Sequence, residues 1–144
     1  MLTIDSKSLK RANFNKHDIT KLTGRHTLEI GFFKGATYPS GQSVASVASY
    51  QEYGTLRIPA RPFFRQAIAK NNKKWLETFK AHALNTAETK ALAIVGEIAK
   101  GDIQQSITNL RTPPNAPSTI KAKGSTNPLI DTGLMRRSVT YKVK

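Results

Sequence analysis

The sequence predicts an α+β fold, and three observations carry that expectation. Apolar and polar residues alternate with period 2 over residues 26–33 and again over 138–143, the pattern of half-buried strands. Residues 62–84 and 86–110, between them, repeat apolar positions at helical spacing. Strands that lie far apart in the chain, with helices between, imply a small, mostly antiparallel sheet packed against one or two long amphipathic helices and joined by long loops.

Residues 1–25 are polar and basic, and read as a loosely held N-terminal arm in which only residues 18–22 have the makings of a short helix. Residues 26–144 read as a single domain. In the first strand His26, Leu28, Ile30 and Phe32 share a face. Gly35, Pro39 and Gly41 make residues 34–42 a loop. Ser43 then stands where a hydroxyl can accept a bond from a first-turn N–H, capping a helix through Tyr53 with Val44, Val47 and Ala48 on its stripe and Gly54 as left-handed terminator. Pro59-Ala60-Arg61-Pro62 holds the chain extended, and Pro62 suits the first position of a new helix.

That helix is expected to bury Phe64, Ile68, Trp75, Phe79 and Ala83. Asn85 with Glu88 offers a cap for the next, from Thr86 to about Leu110, with Ala91, Ile94, Val95, Ile98, Ile107 and Leu110 on its apolar side and a kink at Gly101. Residues 111–127 carry Pro113, Pro114, Pro117 and Gly124 and read as a long, irregular, basic connection. Asp131-Thr132-Gly133 begins a tight turn, and Val139, Tyr141 and Val143 mark a terminal strand.

A chain of 144 residues can bury a core without covalent staples. It has no Cys, which excludes disulfides, thiolate metal sites and Cys nucleophiles. No run of eighteen apolar residues occurs and residues 1–11 lack the apolar centre of a signal peptide, so neither membrane spanning nor secretion is expected. The anomaly is charge: 23 Lys and Arg against 9 Asp and Glu give +14, a balance suited to nucleic acid or another acidic partner. The excess lies in residues 1–26 (+4), 57–80 (+6) and 111–144 (+6), while 27–56 and 81–110 are each −1. Basic residues and aromatics mix from Arg57 to Trp75, but the aromatics fall at core spacing. Solvated or interface-facing charge is therefore expected ahead of direct phosphate contact.

Enzymatic signatures are weak or missing. His17, His26 and His82 lack the i, i+4 spacing and nearby carboxylates of a zinc helix. Gly35 and Gly41 do not form a phosphate-cradling loop, because five residues separate them and no Lys follows. Gly41-Gln42-Ser43-Val44-Ala45 superficially resembles the turn that presents a serine nucleophile, but no strand precedes it. No two acids are closer than five residues, so local spacing sets up no acid and base pair. The expectation is a protein that is not an enzyme and carries no cofactor or metal.

Two non-catalytic constellations remain. Glu52-Tyr53-Gly54 followed by Ile58 to Phe64 reads either as a well-made corner or as a platform that turns Arg61 and Arg65 toward a partner, since arginine's planar fork suits interface ion pairs. Pro128 to Leu134, leading to Ser138, reads as a turn in which Asp131 and Thr132 accept backbone N–H bonds.

In order along the chain, Tyr53-Gly54, Ile58-Pro59-Ala60-Arg61-Pro62-Phe63, Ala116-Pro117-Ser118-Thr119-Ile120 with Lys123-Gly124, and Pro128-Leu129-Ile130-Asp131-Thr132-Gly133-Leu134 with Ser138 and Tyr141 resemble tailed-bacteriophage and prophage neck (head-tail joining) or tail-completion (minor tail) proteins. The resemblance spans roughly residues 26–144. It implies a structural virion protein, made in the bacterial host cytoplasm, that assembles as a homo-oligomeric ring and docks onto connector, adaptor, tail-terminator or tail-tube proteins. Monomers in isolation are compatible with it. It brings no catalytic residues. Gly54, Pro59, Arg61, Pro62, Leu129, Asp131, Thr132 and Gly133, together with Phe63 and Arg65, become the candidates for fold and assembly. Pairing of the positive charge with acidic neighbours is favoured over DNA contact, because a basic channel would retard a polyanion. The alternative is a basic DNA-binding module; a small hydrolase or nuclease is a third class.

Overall fold

The computed structural model describes residues 2–5 and 25–144 of the chain. The fold is α+β. Its elements are β1 (Leu2–Asp5), β2 (Thr27–Phe32), α1 (Val44–Tyr53), α2 (Phe63–Ala83), α3 (Glu88–Asn109), α4 (Pro117–Lys123), α5 (Leu134–Arg137) and β3 (Val139–Val143). The sheet order is β1-β2-β3. β1 runs antiparallel to β2 with Leu2 opposite Ile30 and Asp5 opposite Thr27. Thr27 and Lys144 exchange both backbone bonds at 2.8 and 2.9 Å, the signature of an antiparallel hydrogen-bonded pair. Part of the arm expected to be loosely held thus forms a strand. The short helix expected at 18–22 lies outside the described residues.

The chain divides into two compact units. The first comprises residues up to Gly31, Asn71–Gly101 and Thr140–Lys144. Its core contains Leu28, Ile30, Trp75, Phe79, Ala83, Ala91, Leu92, Val95 and Ala99, all buried. The alternation read in β2 is real: Leu28 and Ile30 point inward. The β3 residue Tyr141 lays its ring over Gly96 of α3, leaving no room for a Cβ there. Glu29 pairs with Lys144 at 2.9 Å, and Glu88 meets His26 at 3.4 Å.

The second unit comprises Phe32–Lys70 and Asp102–Val139. Its core contains Val44, Ala48, Phe63, Ala67, Ile103, Ile107, Leu129, Met135 and Val139. Phe32 meets Phe63 edge to face with centroids 6.2 Å apart, and α1 packs on α5.

Several local expectations change. The buried stripe of α2 is Phe63, Ala67, Trp75, Phe79 and Ala83, so its first turns roll one residue back and leave Phe64 and Ile68 half-buried. On α3 the buried side chains are Ala91, Leu92, Val95, Ala99, Ile103 and Ile107, while Ile98 is exposed. The helix runs uninterrupted through Gly101. Ser43 occupies the N-cap of α1, but its hydroxyl makes no capping bond. The 34–42 loop is closed by Tyr38 N–H to Gln42 C=O at 2.9 Å and Val44 N–H to Ala36 C=O at 3.0 Å. Residues 111–127 are not irregular throughout: α4 starts on Pro117 and stops at Gly124, whose φ of 66° and ψ of 15° are left-handed. That is the Pro-first, Gly-last asymmetry of helices.

The two helical glycines of α3 are expected to respond oppositely to a methyl group. A Cβ on Gly101 would meet nothing within 4 Å, so Gly101→Ala is expected to stabilise by about 1 kcal/mol. Gly96→Ala forces the Tyr141 ring aside and is expected to cost about 1–3 kcal/mol. Thermal midpoints moving in opposite directions check this; two midpoints that rise together contradict the packing.

Candidate functional site

The corner between α1 and α2 is built around one buried cation. Gly54 ends α1 with its N–H on Tyr50 C=O at 2.9 Å. Its φ of 76° is positive but its ψ of 171° is extended, so the chain leaves the helix outward rather than through the left-handed cap the sequence suggests. A Cβ at Gly54 would stand 2.9 Å from both Ala60 N and Ile58 O, so a side chain is excluded on two counts. Beyond it the prolines lead back to place the Arg61 N–H on Gln51 C=O at 2.6 Å.

The Arg61 side chain is 3% exposed. Its Nε–H donates to Pro113 C=O at 2.8 Å, Nη1 to Gln51 Oε1 at 2.6 Å, and Nη2 to Pro114 C=O at 3.0 Å and Asn115 Oδ1 at 3.1 Å. All four acceptors are neutral. Burial pulls the guanidinium below its ordinary pKa, yet a group titrating so high keeps its proton. The fork ties α1, the 59–62 link and the 113–115 segment together. Of the two readings of this corner, the geometry at Arg61 fits the well-made corner: its donors are used inside the unit.

Glu52, equally buried, completes the corner. Its carboxylate accepts the Phe64 N–H at 2.8 Å and the Arg65 N–H at 3.2 Å. A side chain from another helix thereby satisfies first-turn donors of α2, whose own first turn holds no acid. Arg65 pairs with Glu52 at 2.7 Å and stacks over the Tyr53 ring at 5.2 Å. Unlike Arg61, its side chain is 56% exposed. Pro62 directly precedes the first helical residue, Phe63, which is buried. Pro59 remains exposed on the link.

Beside this corner lies a cavity of about 440 Å³, within the range of clefts that accept a small ligand or a few side chains. Tyr38 and Gln42 line it from the closed loop, Val47 and Gln51 from α1, Asn115, Thr119 and Lys123 from the 115–123 segment, and Leu129, Asp131, Thr132 and Met135 from the last segment of the unit. The second constellation singled out in the sequence, residues 128–134, lines this cavity, and the first is tied to it through Asn115. Asn115 bridges them, accepting from Arg61 and donating to Pro128 C=O at 3.4 Å. Asn127 holds the far wall, donating to Thr108 C=O at 2.9 Å and accepting the Leu129 N–H at 3.0 Å.

Lys123 is half-buried, and desolvation draws its pKa down, opposed by Asp131 and reinforced by Arg61. Desolvation and the Asp131 carboxylate raise the Tyr38 phenol. Thr132 accepts the Leu134 N–H at 3.4 Å, as expected of the turn. Asp131 accepts no such bond among the described residues; it stands exposed at the cavity wall. Gly133, at a φ of 76°, precedes α5, and Leu129 belongs to the core.

Gln51, Asn115 and Lys123 are site residues that the sequence did not single out for a shared role. Their signal was weak, since an amide in a loop has no periodicity. His26 does meet a carboxylate, Glu88, contrary to expectation, and His17 lies outside the described residues. Among the described residues no group of three or more His, Asp and Glu is placed to hold a metal ion, and no helix is long and apolar enough to cross a membrane. No protein-family profile, curated protein or solved structure matches the chain significantly.

Replacing Arg61 tests whether the fork or the charge matters. Arg61→Met leaves four acceptors without their donor and is expected to cost about 3 kcal/mol. Arg61→Lys is expected to recover little, because an ammonium cannot serve acceptors arranged around a planar fork. Denaturant unfolding of the two variants checks it, and a Lys variant as stable as the native chain would show that the positive charge alone suffices.

Proposed function

We propose that this chain is a structural virion protein of a tailed phage or prophage, acting at the head-tail junction or tail end by docking onto copies of itself and onto connector or tail proteins. The sequence resemblance motivates the reading. The observation that supports it most is how its motif residues are used: Gly54, Arg61, Phe63 and Leu129 all go into one stiff corner and its cavity wall. Beside that corner Tyr50, Tyr53 and Leu56 stand exposed. A firmly built support that presents apolar side chains outward is suited to docking.

The charge fits the same role. Residues 1–26, 57–80 and 111–144 hold the excess behind the net +14 that acidic faces of neighbouring particle proteins would meet. In this reading the loops reach neighbours, and the cavity receives a side chain rather than a substrate to be turned over.

Fractionating a phage or prophage lysate that expresses the tagged chain tests the proposal. The chain is expected to co-sediment with particles or tails, and deletion of its gene is expected to leave heads and tails unjoined. Particles that lack the chain and assemble normally without its gene would refute the reading. Tight binding to duplex DNA that collapses with added salt would favour the DNA-binding alternative.

A further inference from the structure

The most exposed apolar side chain described is Leu56, which is fully open to solvent. It sits on a short loop that is itself well ordered by local bonds. Thr55 N–H donates to Ile58 C=O at 2.8 Å, and the Thr55 hydroxyl accepts the Arg57 and Ile58 N–H groups at 3.2 and 3.1 Å. Gly54, hemmed in by Ile58 and Ala60, fixes one end, and the Arg61 fork fixes the other. The loop thus presents a leucine and the neighbouring Arg57, both exposed. Ordering such a loop in advance lowers the entropic cost of burying its tip.

The same unit holds the matching receptor. The cavity wall offers Val47, Leu129 and Met135 to an aliphatic side chain, and the exposed carboxylate of Asp131 stands beside them. An apolar tip with an adjacent cation is thus matched by a recess whose apolar wall adjoins the exposed Asp131 carboxylate, with the half-buried Lys123 also in its lining. Because Leu56 is fully exposed, it does not fill the recess of its own chain.

We infer that Leu56 of one copy inserts into the cavity beside Leu129 and Met135 of a second copy, with Arg57 pairing to Asp131 at its edge. The contact is heterologous, knob on one surface and hole on another, so repeating it builds a ring where the rotation closes and a filament where it does not. The apolar insertion forms the buried centre and the ion pair the polar rim. This inference rests on the docking role proposed above and gives that role a partner and a surface.

The absence of Cys from the chain makes the test clean. Full-length L56C and T132C proteins are prepared singly, mixed at high micromolar concentration and oxidised, with the double variant treated alone. The expected products are a mixed 56–132 dimer from the pair and a ladder of oligomers from the double variant. In parallel, L56D is expected to weaken self-association at least about tenfold by sedimentation velocity. R57E and D131R are each expected to weaken it and their combination to restore it. Circular dichroism checks that these exposed changes leave the fold intact. No 56–132 adduct, a predominance of 56–56 dimers, or crosslinking of position 56 to a different particle protein in a lysate would overturn the inference. A ladder formed by a chain absent from particles would instead uphold the contact while refuting the virion role.

Discussion

A buried guanidinium held by four neutral acceptors is the constraint on which the second unit depends. A lone cation away from water is costly unless its donors are matched. Arg61 meets that demand through acceptors that lie ten to more than fifty residues away. Satisfying the fork therefore fixes where the 113–115 segment lies against α1. The cavity follows from that placement, since Gln51 and Asn115 serve both the fork and the cavity wall. A smaller residue would release the 113–115 segment, and a flexible one would hold it without direction.

Glu52 makes the corner two-sided. Arg61 draws the link inward onto α1, and Glu52 holds the first turn of α2 from the same helix end. Together they set the direction in which α2 starts and leave the 55–58 loop projecting. The stiffness of that loop is thus a consequence of the corner and not of the loop sequence alone. Tyr53 and Arg65 stack at its foot, where Arg65 also pairs with the buried Glu52.

Periodicity made the fold class legible, and it also shows where legibility ends. Leu28 and Ile30 alternate and are buried, and Trp75, Phe79 and Ala83 repeat every fourth residue and are buried. The α2 stripe was misplaced only in its first turns, because Phe63 and Phe64 are equally apolar and the sequence offers no means of choosing between them. Ala99 and Ile103 were missed on α3 because small or isolated apolar residues carry weak periodicity beside Ile94 and Ile98. The α4 helix was readable from Pro117 and Gly124, but the prolines before it masked that signal. The site was less legible. Arg61 and Asp131 stood out as residue types, while burial, which makes one a structural fork and leaves the other at the surface, is decided by acceptors such as Asn115 and Pro113 that no local pattern connects to them.

The distribution of acids shapes what the charge can do. Glu29, Glu52, Glu88 and Glu97 each face a partner within the chain, respectively Lys144, Arg65, His26 and Lys100. Four of the nine acids are so paired, each with one basic group, so the net charge of +14 remains as a large positive excess, and two copies repel each other at long range. Under the proposed self-docking, contact between copies must come from compact apolar burial with an ion pair placed at its edge, because broad polar faces would set cation against cation. Salt acts oppositely on the two uses of this charge. It screens the repulsion of many exposed cations more than it weakens one partly shielded pair, so it favours association of copies. Binding to a polyanion, by contrast, loses counterion release and falls steeply. Under the proposed docking role, self-contact would therefore strengthen with ionic strength while the positive surface favours a neighbour of opposite sign, and the Leu56 loop would supply the local fit that long-range charge cannot.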